Sequence, residues 1–365
     1  SWRQRPCANP LLSPTRARHM SDPVRITVCT DAEAVRWDEF LGAHSSGSFY
    51  HRFAWKDINE QNFGHQSFFL MAQRGDRIVG IFPLVLVSSR LFGRILCSMP
   101  FVNYGGPCSS DPEAMTLLLD EMVALASRLR ADYAEIRTLE PLAREFPSAL
   151  HKVSMTIALQ PDPDTLWNAF TSKHRTNIRR IYKNGLHVVS GHLDQLDTFY
   201  DVLAESWRQH GTPIYRRRYF ADILSAFPQE TRIFVVYQDK IPVAAAFNGY
   251  YRDTVEGMWA GTDARYRNLQ ASYVLYWEMI KDACERGFAH YHLGRSTVES
   301  GSESFKKKWN ADTKQLYWNY HMPGNQPIPQ LNVDNPRFRL AIAVWRRLPT
   351  RLTTFIGPPV AKYIP

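Results

Sequence analysis

HYHLGRSTVESGSESFKKKWN, residues 290–310, is the stretch from which the rest of the chain is best read. Ala289, Tyr291 and Leu293 alternate with His290 and His292, the two-residue period of a pleated strand. The segment then breaks into a turn rich in Gly, Ser and Thr and closes on Phe305, three lysines and Trp309. Small residues let backbone N–H groups approach an anion closely, and the lysines add compact positive charge beside them. The same residues also read as a solvated basic turn capping a sheet. As a strand after the turn, Lys306 and Lys308 would face one way and Lys307 the other.

Upstream, elements alternate between strand and helix periods. Val24–Cys29 reads as a first strand, and a helix capped by Asp31 runs to Ala43. Gln66–Gln73 and Arg77–Ser88 form a hairpin across Arg74-Gly75-Asp76. Asp111 and Pro112 start a helix, and Tyr133–Thr138 is a strand. The order then repeats with longer insertions. Val153–Leu159 is a strand, and Asp164 caps a helix to Asn184 that Gly185 ends. Leu193–Gln209 and Arg217–Phe227 are helices. Arg232–Tyr237 and Val243–Tyr250 form a second hairpin, Leu269–Arg286 is a long helix, and Gln315–His321 is the final strand. The hairpin runs IVGIFPLVLV (78–87) and IPVAAAFNGY (241–250) occupy matching places, which suggests a duplicated α/β unit. The expected division is 1–22 as a disordered extension ahead of a start at Met20, 23–150 and 151–322 as two similar halves, and 323–365 as a linker with a C-terminal helix.

With 365 residues, two domains of similar size are the natural prior. No run of eighteen apolar residues occurs. A net charge of +9 favours polyanionic partners: phosphorylated substrates, tRNA or an acidic membrane face. Five scattered cysteines without a C-x-x-C pair point to a reducing compartment and no zinc site. In the C-terminal helix Phe338, Ile342, Trp345 and Leu348 recur on one side and Arg339, Arg346 and Arg347 lie largely off it. That pattern suits either docking on the core or lying on an anionic bilayer.

Arg175, Arg179 and Lys183 stand four apart, so they share one helix face. Three aligned cations suit a diphosphate; a solvated face is the alternative. His290 and His292 share a strand face, but nothing nearby supplies a third metal ligand. His51 lies beside Tyr50 and Arg52 and is a candidate to line a cleft. Tyr104, Tyr276 and Asp263 are the candidates for a general base, and none stands out from the sequence.

The GRS…SGSESFKKKWNA pattern resembles the C-terminal signature of the Fem family of aminoacyltransferases and of double-GNAT-fold acyltransferases around it. The resemblance extends to GSFYHRFAW (47–55), IVGIFPLVLV, MPFVNYGGP (99–107), KHRTNIRRIYKNGL (173–186) and NPRFRLAIAVWRRLP (335–349), and so covers roughly 25–358. It is nearest to the Fem-like proteins associated with exosortase and exopolysaccharide clusters. It implies an α/β protein of two tandem GNAT-like halves, with mixed sheets flanked by helices. It implies transfer of an aminoacyl or acyl group from an activated ester or thioester to an amine or hydroxyl of an envelope or exopolysaccharide precursor. No nucleophile of the enzyme is needed, because the acceptor attacks directly.

On the same resemblance Lys306 is the catalytic candidate, an ammonium stabilising the oxyanion at about 3 kcal/mol, with Lys307 or Lys308 as substitutes. Arg175, Arg179 and Lys183 become acceptor-phosphate candidates, Tyr104 an acceptor-side wall, and Arg295 and Ser296 loop anchors or substrate contacts. No bound cofactor is implied; the co-substrate is aminoacyl-tRNA, acyl-CoA or an acyl-carrier protein. In ARYRNLQAS (264–272) Asn268 and Gln270 stand where the pyrophosphate loop of a CoA-binding GNAT has glycines. The coiled-coil hairpin with which tRNA-docking Fem enzymes often reach their donor has no counterpart, because Leu193–Phe227 is short and interrupted by Gly211-Thr212-Pro213. The implied setting is cytoplasmic or peripheral at the inner membrane face, with an envelope precursor and tRNA as partners and DNA not among them. A non-catalytic GNAT-fold module that binds a phosphorylated glycan is the reading from another class.

Overall fold

The apolar runs 78–87 and 241–250 each lie inside a sheet, because neither offers water a polar face. The computed structural model describes residues 22–89, 93–329 and 336–364. The expected start at Met20, nearly all of the N-terminal extension and part of the linker after Pro323 lie outside the described residues.

In chain order the first part comprises β1 (Val24–Val28), α1 (Ala34–Ala43), α2 (Trp55–Phe63), β2 (Gln66–Arg74), β3 (Arg77–Ser89), β4 (Gly93–Cys97), β5 (Cys108–Ser109), α3 (Pro112–Arg128), β6 (Tyr133–Thr138) and β7 (Ser148–Ala149). Next come β8 (Lys152–Ala158), α4 (Pro163–Ala169), α5 (Ser172–Tyr182), β9 (Leu186–Gly191), α6 (Leu196–His210), α7 (Arg217–Ala226), β10 (Thr231–Gln238), β11 (Ile241–Tyr251) and β12 (Thr254–Thr262). The chain continues through α8 (Ala271–Glu285), β13 (His290–Thr297), α9 (Gly301–Lys307), β14 (Asp312–Gln315) and β15 (Tyr317–His321), and finishes with α10 (Pro336–Arg347), α11 (Thr350–Ile356) and α12 (Pro358–Ala361).

Two sheets share one plan. The first runs β1-β2-β3-β4-β6-β15-β7, with β5 against β3, and the second β14-β8-β13-β12-β11-β10-β9. Each has one parallel pair, β4 with β6 and β12 with β13, bridged by α3 and α8 respectively. The strand beyond that pair is β15 in the first sheet and β8 in the second. β8 follows the first half in sequence but pairs antiparallel with β13, and β15 follows β13 but pairs antiparallel with β6.

The final strand expected over Gln315–His321 as part of the second half therefore needs correcting. It divides at Leu316, and its larger part completes the first sheet. Trp318 and Tyr320 are both buried there, facing the core that joins the two halves. That core gathers Phe69 and Met71 of β2, Phe199 of α6, Phe220 of α7 and Phe247 of β11 into one cluster. Separate clusters lie under α3 and under α8.

The helix expected from Asp164 to Asn184 is two helices. Asp162 caps α4, accepting from the backbone N–H groups of Asp164 and Thr165, and Thr171 caps α5 through His174. Between them Phe170 is extended and buried against Trp277 and Trp309, which draws the chain out of helical geometry. Gly185 follows α5 at φ +72°, as expected of a residue just past a helix end.

Candidate active site

The parallel register of β12 and β13 runs Thr254↔His290, Val255↔Tyr291, Glu256↔His292 and then ends. Beyond it β13 shifts register against β8 between His292 and Arg295. Gly294 makes this parting possible. It sits at φ +75°, and a Cβ there would lie 2.8 Å from the carbonyl oxygen of Gly257, so no other residue fits without backbone movement. The opening holds a cavity of about 310 Å³, walled by Met258–Ala260 on one strand, Leu293–Arg295 on the other, and Lys306.

The matching opening of the first sheet, beyond Cys97↔Glu135, is filled by the chain itself. Ser98 Oγ accepts from the backbone N–H of Arg137 at 2.9 Å, and the Gly105 N–H donates to the Arg137 carbonyl at 3.2 Å. Cβ atoms at Gly105 and Gly106 would fall 2.5 Å from Met99 and 2.4 Å from Thr138, which accounts for the paired glycines of MPFVNYGGP. One half thus keeps its cleft and the other plugs it.

Residues 301–307 are helical, which corrects the alternating orientation expected of the lysines. Ser300 caps α9 by accepting from the Glu303 N–H, and the Glu303 carboxylate takes the N–H of Glu299. Lys306 turns inward and is 5% exposed; Lys307 turns out to pair with Glu303 at 2.8 Å. Lys308 donates to the Tyr273 hydroxyl at 3.0 Å and lies on neither cavity described here. Lys306 Nζ donates to the carbonyls of Gly294 (3.1 Å) and Arg295 (3.0 Å), leaving one N–H uncommitted. Burial, and then the Arg295 charge, bring its pKa from 10.5 down to about 7. Arg295 is lowered likewise, to about 10, by burial and then Arg137. Its guanidinium lies over the Trp318 ring at 5.6 Å, and its Nη1 is buried without a hydrogen-bond partner. Among the described residues, no carboxylate lines this cavity.

At the last register pair before the strands part, Glu256 and His292 meet. His292 Nδ1 lies 3.0 Å from Glu256 Oε1 and 2.9 Å from the Tyr104 hydroxyl, which itself donates to the same carboxylate oxygen. Glu256 is 1% exposed and its Oε2 has no partner. Burial lowers the His292 pKa, but the Glu256 charge and hydrogen bond outweigh it and the net shift is upward. Among the described residues, the hydrogen bonds of His292 run through Nδ1. Tyr104, Glu256 and His292 line a second cavity of about 550 Å³. Across the wall, Tyr50 and Asn103 line the first cavity, with Asn103 Nδ2 donating to the Tyr50 hydroxyl at 3.0 Å. A Cβ at Gly294 would lie 3.8 Å from Asn103 Nδ2 and 3.9 Å from Lys306 Nζ, so this glycine separates the lysine from the polar wall.

The other residues singled out from sequence are distributed more widely. Arg175 donates to the carbonyls of Asn168 and Phe170 and so ties α5 to the end of α4. Arg179 lies over Trp167 at 5.3 Å; it and Lys183 are exposed, and neither borders the two cavities. Ser296 is buried behind α9, its hydroxyl 3.2 Å from that of Ser302. His51 borders the second cavity but commits both ring nitrogens, to Ser48 and to the Gly106 carbonyl, and burial takes its pKa to about 4. Asp263 caps the following turn and pairs with Arg265, while the buried Tyr276 hydroxyl is pushed up to about 12.

Sequence reasoning missed Glu256. Its signal was a lone acid in an apolar strand, one residue before a glycine. It also left His292 as half of an incomplete metal pair. The loop at 264–269 folds as a 3-10 turn, followed by Gln270 at φ +52°, whose side chain accepts from Arg180 at 3.2 Å. Side chains therefore occupy the position where a bare glycine loop would present its N–H groups.

Comparison with known proteins agrees with this architecture. The acetyltransferase (GNAT) domain family matches residues 172–307. The UDP-N-acetylmuramoylpentapeptide-lysine N(6)-alanyltransferase of Weissella viridescens is 26% identical over 212 residues, 56% of this chain and 60% of that protein. The chain thus aligns with about three-fifths of that relative's length. The crystal structure of FemX superposes with a TM-score of 0.62 at 15% identity, covering 80% of this chain and 96% of that one. A tandem GNAT protein from the clavulanic acid biosynthesis pathway gives 0.53 at 10% identity, over 84% and 100%. With two mixed sheets of one plan and these likenesses, the chain has the tandem GNAT fold and is similar to Fem-family aminoacyltransferases.

Proposed function

We propose that the protein is an acyltransferase that moves an aminoacyl group from an activated ester to an amine of a cell-envelope precursor. The observation that carries this is the pair of cations, Lys306 and Arg295, facing a cleft with no carboxylate in its lining. Such a site is prepared for negative charge that develops during reaction. The uncommitted N–H of Lys306 and the unpartnered Nη1 of Arg295 supply the donors.

In the proposed sequence His292, oriented by Glu256 through Nδ1, takes a proton at Nε2 from the acceptor ammonium. The freed amine nitrogen bonds to the acyl carbon, and the carbonyl oxygen becomes the oxyanion held by Lys306 and Arg295. His292 releases that first proton to solvent and takes a second from the nitrogen, which bonding to the acyl carbon has left positively charged; collapse then breaks the carbon–oxygen bond of the ester, and His292 delivers the second proton to the departing oxygen. The acceptor enters by the second cavity and the donor occupies the first. Exposed Arg179 and Lys183 are assigned to acceptor phosphates, whereas the carbonyl bonds of Arg175 favour a structural part for it.

The side chains of the 264–270 turn favour an ester donor, aminoacyl-tRNA, over acyl-CoA or an acyl-carrier protein. The Weissella relative, a UDP-N-acetylmuramoylpentapeptide-lysine N(6)-alanyltransferase, makes a lysine-containing muramoyl pentapeptide the first acceptor to try, ahead of an exopolysaccharide precursor. The test is mass spectrometry of UDP-linked muramoyl pentapeptide incubated with the protein and a mixed pool of charged tRNA, with acetyl-CoA in parallel. Gain of one aminoacyl residue supports the proposal. Acetyl transfer from CoA with none from tRNA overturns the donor assignment, and no transfer from either to any amine favours the glycan-binding reading.

A further inference from the structure

We infer that the C-terminal helices form a docking surface for an anionic lipid bilayer. Helix α10 packs on α6 through Ile342, whose side chain lies against Gly211, and Arg346 and Arg208 tie the two together through the carbonyls of His210 and Arg346. Thr350 adds a bond to Glu205, and Thr353 is buried where α11 meets the body. The inward side expected from Ile342, Trp345 and Leu348 is thereby used. A second apolar set remains outside: Leu340 and Val344 on α10, Leu352 and Phe355 on α11, and Val360 on α12. Half of the twelve large apolar side chains exposed among the described residues fall in 336–364, and Phe355 is 80% exposed. Solvated surfaces rarely gather apolar side chains in this way without a partner.

Charge identifies the partner. Residues 336–364 carry Arg337, Arg339, Arg346, Arg347, Arg351 and Lys362 and no Asp or Glu. Exposed apolar side chains interleaved with cations and free of acids match the boundary of an anionic bilayer, where rings and aliphatic chains enter the acyl region and cations meet the headgroups. RNA would use the cations and could stack a base on Phe355, but it has no use for the exposed aliphatic side chains of Leu340, Val344, Leu352 and Val360. Among the described residues no helix is long and apolar enough to cross a membrane, so the attachment is to one face of the bilayer. The inference does not depend on the proposed reaction.

The test is flotation of the purified full chain with vesicles of phosphatidylglycerol and phosphatidylethanolamine, against vesicles of phosphatidylcholine alone. The protein is expected to float with the anionic vesicles and not with the neutral ones, and to be released by salt. Leu352→Ser with Phe355→Ser, and separately Arg347→Ser with Arg351→Ser, are each expected to weaken binding about tenfold. Unchanged thermal unfolding and acyl transfer in both variants would separate docking from folding and from the reaction. Absence of flotation by the wild type overturns the inference, as does flotation insensitive to both pairs. Self-association abolished by Phe355→Ser, without vesicle binding, would assign the surface to a second copy. RNA binding lost with the arginines, without vesicle binding, would assign it to RNA.

Discussion

Replacing Lys306 with Met separates what this lysine does for the reaction from what it does for the fold. Its ammonium is buried, and its pKa falls from 10.5 unfolded to about 7 folded. A base with a lowered folded pKa destabilises the protein when charged. Stability therefore rises as pH climbs from about 7 towards 10.5, and the full cost is felt below about 7. That cost is about 5 kcal/mol at pH near 6. Met removes it but leaves the carbonyls of Gly294 and Arg295 without their donor, at about 1–3 kcal/mol each. The two effects nearly cancel, so at low pH the variant should unfold within about 2 kcal/mol of wild type. At alkaline pH, where wild-type Lys306 is neutral, the variant should lose ground. Turnover should fall about 10²–10³-fold through loss of an oxyanion donor, with acceptor and donor binding retained. Urea unfolding at two pH values and single-turnover kinetics measure both. Turnover within a few-fold of wild type would refute the oxyanion role, and a stability difference that does not change with pH would refute the buried, depressed lysine.

Other outcomes test the rest of the site. His292→Gln and Glu256→Gln should each lower kcat about 10²–10⁴-fold. The wild-type rise of kcat/KM with pH, expected to centre above the usual histidine value because Glu256 raises His292, should vanish in His292→Gln; a persistent rise would place the base elsewhere. Gly294→Ala forces a side chain onto a positive-φ position 2.8 Å from a carbonyl oxygen, so thermal unfolding should report a loss of about 1–3 kcal/mol or more, together with lost activity. Arg179→Ala and Lys183→Ala should raise KM for a phosphorylated acceptor and leave kcat unchanged; equal KM values would remove both from the acceptor site.

Periodicity located both hairpins within a residue or two, because each strand's alternation or apolar run is a local property. Several features of the site were legible for the same reason. A Gly-Ser-rich turn after a strand marked a change of direction, whereas Lys306 was singled out by the resemblance to the Fem signature. The helix at 301–307 went unread because its cap, Ser300 with Glu303, lies inside the small-residue run taken as open loop. The break between α4 and α5 went unread because burial of Phe170, not helix propensity, sets it.

By itself the sequence determined most of the succession of strands and helices and the repeat of the hairpin, which depend on neighbours along the chain; the candidate lysine came from the resemblance to the Fem signature. Tertiary structure decided which strand completes which sheet, since β15 follows β13 along the chain yet finds its partners in β6 and β7 of the first sheet. It also decided that one cleft is plugged by residues 98–107 while the other stays open. Only folding brings Tyr104 to Glu256 and His292, across 152 and 188 residues. The physical reason is that pKa shifts, unpaired polar atoms and cavities belong to groups buried together, and no local pattern records which distant side chains will share a low-dielectric site.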